Sequence, residues 1–145
     1  MSKETAAKVG FELHNAARLL RRNFDRRARE HGLTRARWQV LWHLARNEGS
    51  KQSELAEMLD VAPISMARQL DLLQREGLVE RRADPTDRRC FRIFLTTDAA
   101  PVMETLKELA QQTRAEALAG LSAKEIEQTV RLLARIRENL SRSEE

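Results

Sequence analysis

The sequence predicts a mainly α fold with one small β-hairpin, an α+β arrangement in which a winged helix-turn-helix sits between long N- and C-terminal helices. Three observations carry this. Residues 52–95, QSELAEMLDVAPISMARQLDLLQREGLVERRADPTDRRCFRIFL, read as two short helices around a tight turn, then a hairpin with a charged tip. One long stretch before this segment and two after it repeat apolar residues at three- and four-residue steps. Gly, Pro, Asn and Asp fall between those runs, where turns are needed.

The first helix is expected over 5–30. Val9, Leu13, Ala16, Ala17, Leu20, Phe24 and Ala28 form one apolar stripe on it, and Gly32 ends it. Thr34 can cap a second helix whose inward side holds Trp38, Leu41, Trp42 and Ala45. Asn47-Glu48-Gly49-Ser50 is a turn. Ser53 to Leu59 is a short third helix with Leu55, Ala56 and Leu59 inward, and Asp60-Val61-Ala62 is the turn of the motif. Pro63 suits the first turn of a fourth helix, where a missing N–H costs nothing, and that helix runs to Glu76 before Gly77. Leu78–Ala83 and Cys90–Leu95 are β-type runs joined by Asp84-Pro85-Thr86-Asp87, which is turn chemistry. Asp98 can cap a fifth helix with Pro101 in its first turn; Val102, Leu106, Leu109, Thr113 and Ala117 share a face. Ser122-Ala123-Lys124-Glu125 is a capping box for a last helix with Ile126, Val130, Leu133, Ile136 and Leu140 on one side.

The 145 residues suit one domain, 1–145, with a DNA-binding lobe at about 34–96 and dimerisation helices at about 5–30 and 98–142. A long apolar helix without cover in its own subunit calls for a partner, and pairing between two copies gives a twofold dimer; packing within the chain is the alternative. No apolar run approaches the roughly 20 residues of a membrane span. The opening MSKETAAKVGFELHN lacks a signal-peptide core, so a cytoplasmic location is expected. Cys90 is the single cysteine and excludes an internal disulfide. The net charge of +4 fits a polyanionic partner. All but five of the 26 basic residues are Arg, whose fork matches phosphate and guanine edges; biased genome composition explains the same excess equally well. Four Phe, two Trp and no Tyr argue against single-strand binding on stacked aromatics.

The expected contacts to duplex DNA follow from the motif. Met66, Leu70 and Leu73 share the inward face of the fourth helix, which leaves Pro63, Ile64, Ser65, Arg68 and Gln69 for the groove. Arg68 can fork onto guanine, Ser65 can reach a base or phosphate, and Gln69 can pair with adenine. At the wing, Arg88 and Arg89 can enter a narrow minor groove, with Arg81, Arg82 and Arg92 on the strands. Asp87 is expected to hold an arginine rotamer by a charge-assisted hydrogen bond.

These residues resemble the multiple-antibiotic-resistance regulator (MarR) family. The matching stretches are ELAEMLDV, MARQLDLLQREGLVERR and DPTDRRCFRIFLT, with Asp87-x-Arg89 ahead of Leu95-Thr96 the most specific. The resemblance spans about Val9 to Leu140. It implies homodimeric repressors, sometimes activators, on pseudo-palindromic duplex DNA, often released by phenolic or aromatic acids. Members often carry Ser or Thr where this chain has Ala62 and Ala67, so the operator is not transferable. A peroxide-sensing branch uses a first-helix cysteine, absent here, and a zinc-sensing branch clusters histidines on the fifth helix. The histidines here are His14, His31 and His43, all ahead of the wing, so neither metal nor cofactor is expected. Cys90 is read as a small buried hydrophobe on the wing strand. His14, Arg18, Trp38, Trp42 and His43 form a candidate pocket for an aromatic acid, the alternative being core packing of both tryptophans. No nucleophile–base set or phosphate loop appears, which argues against an enzyme. The competing class is a winged-helix protein–protein or RNA-binding adaptor without ligand control.

Overall fold

A computed structural model describes residues 1–143, so the last two residues of the expected domain lie outside the described ones. In chain order the elements are α1 (Lys3–Glu30), α2 (Arg35–Arg46), α3 (Gln52–Met58), α4 (Pro63–Arg75), β1 (Val79–Ala83), β2 (Phe91–Leu95), a 3₁₀ turn (Thr97–Ala99), α5 (Ala100–Ala117) and α6 (Ala123–Arg142). The chain divides into two compact units, residues 1–111 and a second from Gln112 onward.

The helix starts follow capping chemistry. The Thr34 hydroxyl accepts the Arg37 N–H at 3.4 Å, and Ser2 does the same for Thr5 at 3.2 Å. Each satisfies one of the N–H groups that a helix start leaves open. Asp60 takes φ +50° in the tight turn between α3 and α4, a left-handed conformation that Asp tolerates better than most residues. Gly77 at φ +75° ends α4 and lets the Leu78 N–H return to the Leu73 carbonyl at 2.9 Å. Asp98 does not cap a helix: it lies inside the 3₁₀ turn, with Thr96 before it, and α5 begins two residues later with Pro101 in its first turn.

The core of the first unit is built around α2. Trp38, Val40, Leu41 and Leu44 are buried there, a wider arc than one stripe, because α1, α3, α4 and β2 all pack on this helix. Ala45, expected inward, is exposed. Phe24 and Ala28 of α1, Leu55 and Ala56 of α3, and Met66, Leu70 and Leu73 of α4 join the same cluster, as do Val79, Ile93, Met103, Leu106 and Leu109. The C-terminal end of α1 and the first half of α5 therefore belong to the core of the first unit. The rest of the α1 stripe is less covered: Leu13 is half-buried and Val9, Ala16, Ala17 and Leu20 are exposed, as are Phe11 and Leu19 off the stripe.

The hairpin pairs β1 and β2 antiparallel, from Val79 opposite Leu95 to Ala83 opposite Phe91. The turn before α3 adds a short third edge. The Gly49 N–H donates to the Ile93 carbonyl at 2.8 Å, and the Ile93 N–H donates to the Ser50 carbonyl at 2.9 Å. Gly49 takes φ +81°, which disfavours any side chain, and one placed there would also crowd the Phe94 ring at 3.3 Å.

In the second unit, α6 opens with the predicted capping box. The Ser122 hydroxyl accepts the Glu125 N–H at 3.2 Å, and the Glu125 carboxylate accepts the Ser122 N–H at 2.8 Å. No residue of α6 is buried, and Val130, Leu132, Leu133 and Leu140 are exposed. No helix among the described residues is long and apolar enough to cross a membrane.

Candidate nucleic-acid interface

Helix α4 presents two unlike faces. Met66, Leu70 and Leu73 are fully buried, while Pro63, Ile64, Ser65 and Arg68 are exposed. Ala62 provides no side-chain cap, so the N–H groups of the first turn are left without a side-chain acceptor from that position. The helix start therefore presents partial positive charge and donors to whatever approaches it. Gln69 lies at the edge of the buried face. Its Oε1 is out of solvent and without a partner. The bidentate adenine pairing expected of Gln69 needs both the oxygen and the nitrogen, so it is not offered.

The wing tip is held by a different carboxylate from the one expected. Asp84 is buried. Its Oδ1 accepts the Thr86 hydroxyl at 2.7 Å, the Thr86 N–H at 2.8 Å and the Asp87 N–H at 3.2 Å. Its Oδ2 accepts Arg92 Nε at 2.8 Å, and Arg92 Nη1 reaches the Gly49 carbonyl at 3.0 Å. This chain of bonds fastens the wing turn to the turn before α3. The Thr86 hydroxyl and N–H, helped by Arg92 and the Asp87 N–H, hold the Asp84 carboxyl well below the usual carboxylate range, against the opposing effect of burial. Asp87 does not hold an arginine side chain. Its Oδ1 accepts the Arg89 backbone N–H at 3.0 Å, and its Oδ2 faces the Cys90 thiol at 3.5 Å. It shapes the turn that aims Arg89. Arg88 and Arg89 are exposed at the tip.

The strand arginines have other tasks. Arg81 is half-buried, and all three guanidinium nitrogens are engaged. Nε donates to Gln52 at 3.2 Å, Nη1 to Asp71 at 2.7 Å and Gln74 at 2.8 Å, and Nη2 to the Ala67 carbonyl at 3.2 Å. Arg81 thus joins β1 to α3 and α4 and has no free fork for a phosphate. Arg82 pairs with Glu80 through Nε at 2.8 Å and lies 3.9 Å over the Phe94 ring. Arg81 is therefore not a free contact arginine, which corrects the expectation for it, whereas Arg82 is exposed and its pair with Glu80 is a weak surface one. Between the starts of α3 and α4 and the wing lies a cleft of about 370 Å³, lined among others by Lys51, Ala56, Pro63, Arg89 and Phe91.

Cys90 is half-buried, immediately before β2. Burial pushes its thiol pKa up and the Asp87 carboxylate adds to this, so it carries less thiolate than a free cysteine. The expected aromatic-acid cluster is not assembled within the unit. Trp38 donates its indole N–H to Asp25 at 2.8 Å and packs on Phe24 at 4.5 Å between ring centroids, which is a core role. Trp42 is half-buried beneath Arg46 at 5.1 Å. His43 Nδ1 stays on its own helix, 2.9 Å from the Gln39 carbonyl. His14 and Arg18 are exposed on α1. His14 is eleven residues from the Asp25 that holds Trp38, or about 16 Å of helix at 1.5 Å per residue.

A model of the MarR family matches residues 31–89, the stretch that contains α2, α3, α4 and the wing tip. Among solved structures, the transcriptional regulator PA3341 is 37% identical, with 92% of this chain and 98% of that one covered and a TM-score of 0.82. The chain belongs to the MarR family. The transcriptional regulator SlyA is similar at 29% identity, with 93% and 95% covered and a TM-score of 0.77. A mutant MarR from E.coli, complexed with operator DNA, is 27% identical, with 89% and 93% covered and a TM-score of 0.74. As a MarR-family member the chain is a winged-helix transcription regulator and not an enzyme. Sequence reasoning missed Asp84, Arg92, Gln52, Asp71 and Gln74 as the residues that orient the interface. For Asp84 a signal was present: Asp with Thr two residues on is an Asx-turn pattern.

The lowered pKa of Asp84 has a testable sign. The folded wing favours the carboxylate, so its contribution is complete above the ordinary carboxylate pKa of about 3.9 and is lost as pH falls through the lower folded value. Asp84→Asn is expected to lower the melting temperature near neutral pH, and the gap to wild type is expected to narrow below about pH 4. Thermal melts across that range check this; a gap that stays constant into acid would attribute the loss to shape rather than charge.

Proposed function

We propose that this MarR-family regulator is a homodimeric repressor of pseudo-palindromic duplex operators. Pro63, Ile64, Ser65 and Arg68 meet the major groove, and Arg88 and Arg89 reach the flanking minor groove. The observation that carries this is the rotation of α4. Burial of Met66, Leu70 and Leu73 turns Ile64, Ser65 and Arg68 outward, beside a wing tip whose two arginines are exposed. The α3–α4 pair, with its turn at Asp60, has the form in which a second helix enters the major groove. The cytoplasm is the expected location of a protein with this task.

Competition shift assays with random duplex, single strands and RNA test the reading. A preference for RNA or single strands would favour the adaptor class instead. With an operator selected from random duplex, Arg68→Ala is expected to cost about 1–3 kcal/mol of discrimination at one base pair. Arg89→Ala is expected to weaken binding on all sequences and to reduce the slope of log affinity against log salt by about one. Arg81→Ala is expected to weaken binding with that slope unchanged, since Arg81 holds the wing rather than a phosphate. Equal slopes for wild type and Arg89→Ala would remove Arg89 from the contact set.

Dimerisation is supported by the uncovered apolar residues of α1 (Val9, Phe11, Leu19 and Leu20) and of α6 (Val130, Leu132, Leu133 and Leu140). Isologous pairing of such surfaces gives the twofold axis that a palindrome demands. Sedimentation is expected to report twice the 16.7 kDa chain mass; a monomer at micromolar concentration would overturn this part. Release by an aromatic or phenolic effector is the remaining part of the reading. It is checked by thermal shift against a panel of such acids, and no stabilisation by any member would refute it.

A further inference from the structure

Ile64 is an apolar, β-branched side chain in a place where the fold has no use for one. It is the second residue of α4 and 64% exposed. A β-branched residue on an open helix face loses rotamer freedom and leaves apolar surface in water. The two residues ahead of it add no polar side chain of their own. Ala62 places no polar side chain at the helix start, and Pro63 has no N–H. Arg68 stands one turn further along on the same exposed face, at the i, i+4 spacing. The leading end of the helix therefore offers one apolar group, the Ser65 hydroxyl beside it, and one forked cation a turn further on.

Base edges in the major groove carry a single apolar feature, the 5-methyl group of thymine. Resting on the function proposed above, we propose that Ile64 is a specificity-determining residue that packs on a thymine 5-methyl group, one or two base-pair steps from the guanine that Arg68 contacts. The spacing follows from geometry. Four residues of helix advance about 6 Å, and successive base pairs are about 3.4 Å apart.

The test uses an operator selected from random duplex by the full-length protein. Each thymine is replaced in turn by deoxyuridine, which removes the methyl group and leaves every hydrogen-bonding edge intact. At the position facing Ile64, wild type is expected to bind about fourfold more weakly, the value of one buried methyl group. Ile64→Ala is expected to bind the thymine operator more weakly than wild type and to be indifferent to uracil at that position. Ile64→Val is expected to retain part of the sensitivity. Ile64 is exposed, so both variants should melt like wild type, which separates a lost contact from a lost fold.

Three results would overturn the proposal. One is uracil tolerated at every position by wild type. Another is the same uracil penalty in Ile64→Ala as in wild type. The third is a methyl-sensitive position more than two base-pair steps from the one relaxed by Arg68→Ala. A wild-type protein with no sequence-specific duplex binding would overturn the parent reading as well, and that result appears before any base is altered.

Discussion

The rotation of α4 about its own axis decides what this protein can present to DNA. With 3.6 residues per turn, burying Met66, Leu70 and Leu73 on one side leaves Ile64, Ser65 and Arg68 on the other. Those three apolar side chains are worth on the order of 1.5–3 kcal/mol each in transfer free energy, which no surface contact of the opposite face can match. The exposed face is thus chosen by the core. The four-way anchoring of Arg81 then sets β1 against α3 and α4. The reading helix and the wing are thereby fixed relative to one another before any ligand arrives, which limits the ordering cost of binding.

The wing shows how charge is divided between holding and contacting. Two carboxylates sit three residues apart, and their surroundings give them separate tasks. Asp84 is buried and saturated with donors, and it fixes the turn to Arg92 and Gly49. Asp87 is exposed and holds the backbone beneath Arg89. The strand arginines divide likewise: Arg81 and Arg92 are structural, whereas Arg88 and Arg89 are held out to solvent. A negative charge inside a basic wing would oppose phosphate binding. Here it is paired with Arg92 and enclosed, so its field at the tip is largely cancelled.

Both units leave apolar residues uncovered, on the N-terminal part of α1 and on α6. In the dimer proposed above, these are the residues that a second copy would cover. They also explain why an exposed Ile64 needs a separate account. It lies on the charged lobe beside Arg68, not among the apolar side chains of α1 and α6.

The sequence by itself determined the order of elements, the caps at Thr34 and Ser122, the inward face of α4 and the membership of the family. These depend on periodicity and on contacts within four residues, which a linear reading captures. It also carried the exposed contact candidates Ile64, Ser65, Arg68, Arg88 and Arg89, since exposure is what remains once the inward face is known. Only the tertiary structure decided which polar residues are used up inside the protein. Arg81 reads like any other basic residue until Gln52, Asp71, Gln74 and the Ala67 carbonyl are brought around it from as far as 29 positions away. Asp84 and Asp87 exchange their expected tasks for the same reason: the Arg92 that needs a carboxylate lies across the hairpin from the buried one. The expected ligand cluster is not brought together within one chain, because Trp38 is engaged by Phe24 and Asp25 in the core, while His14 lies about three turns of α1 away from Asp25. Partners that come from distant elements are set by long-range packing, and spacing along the chain carries no record of them.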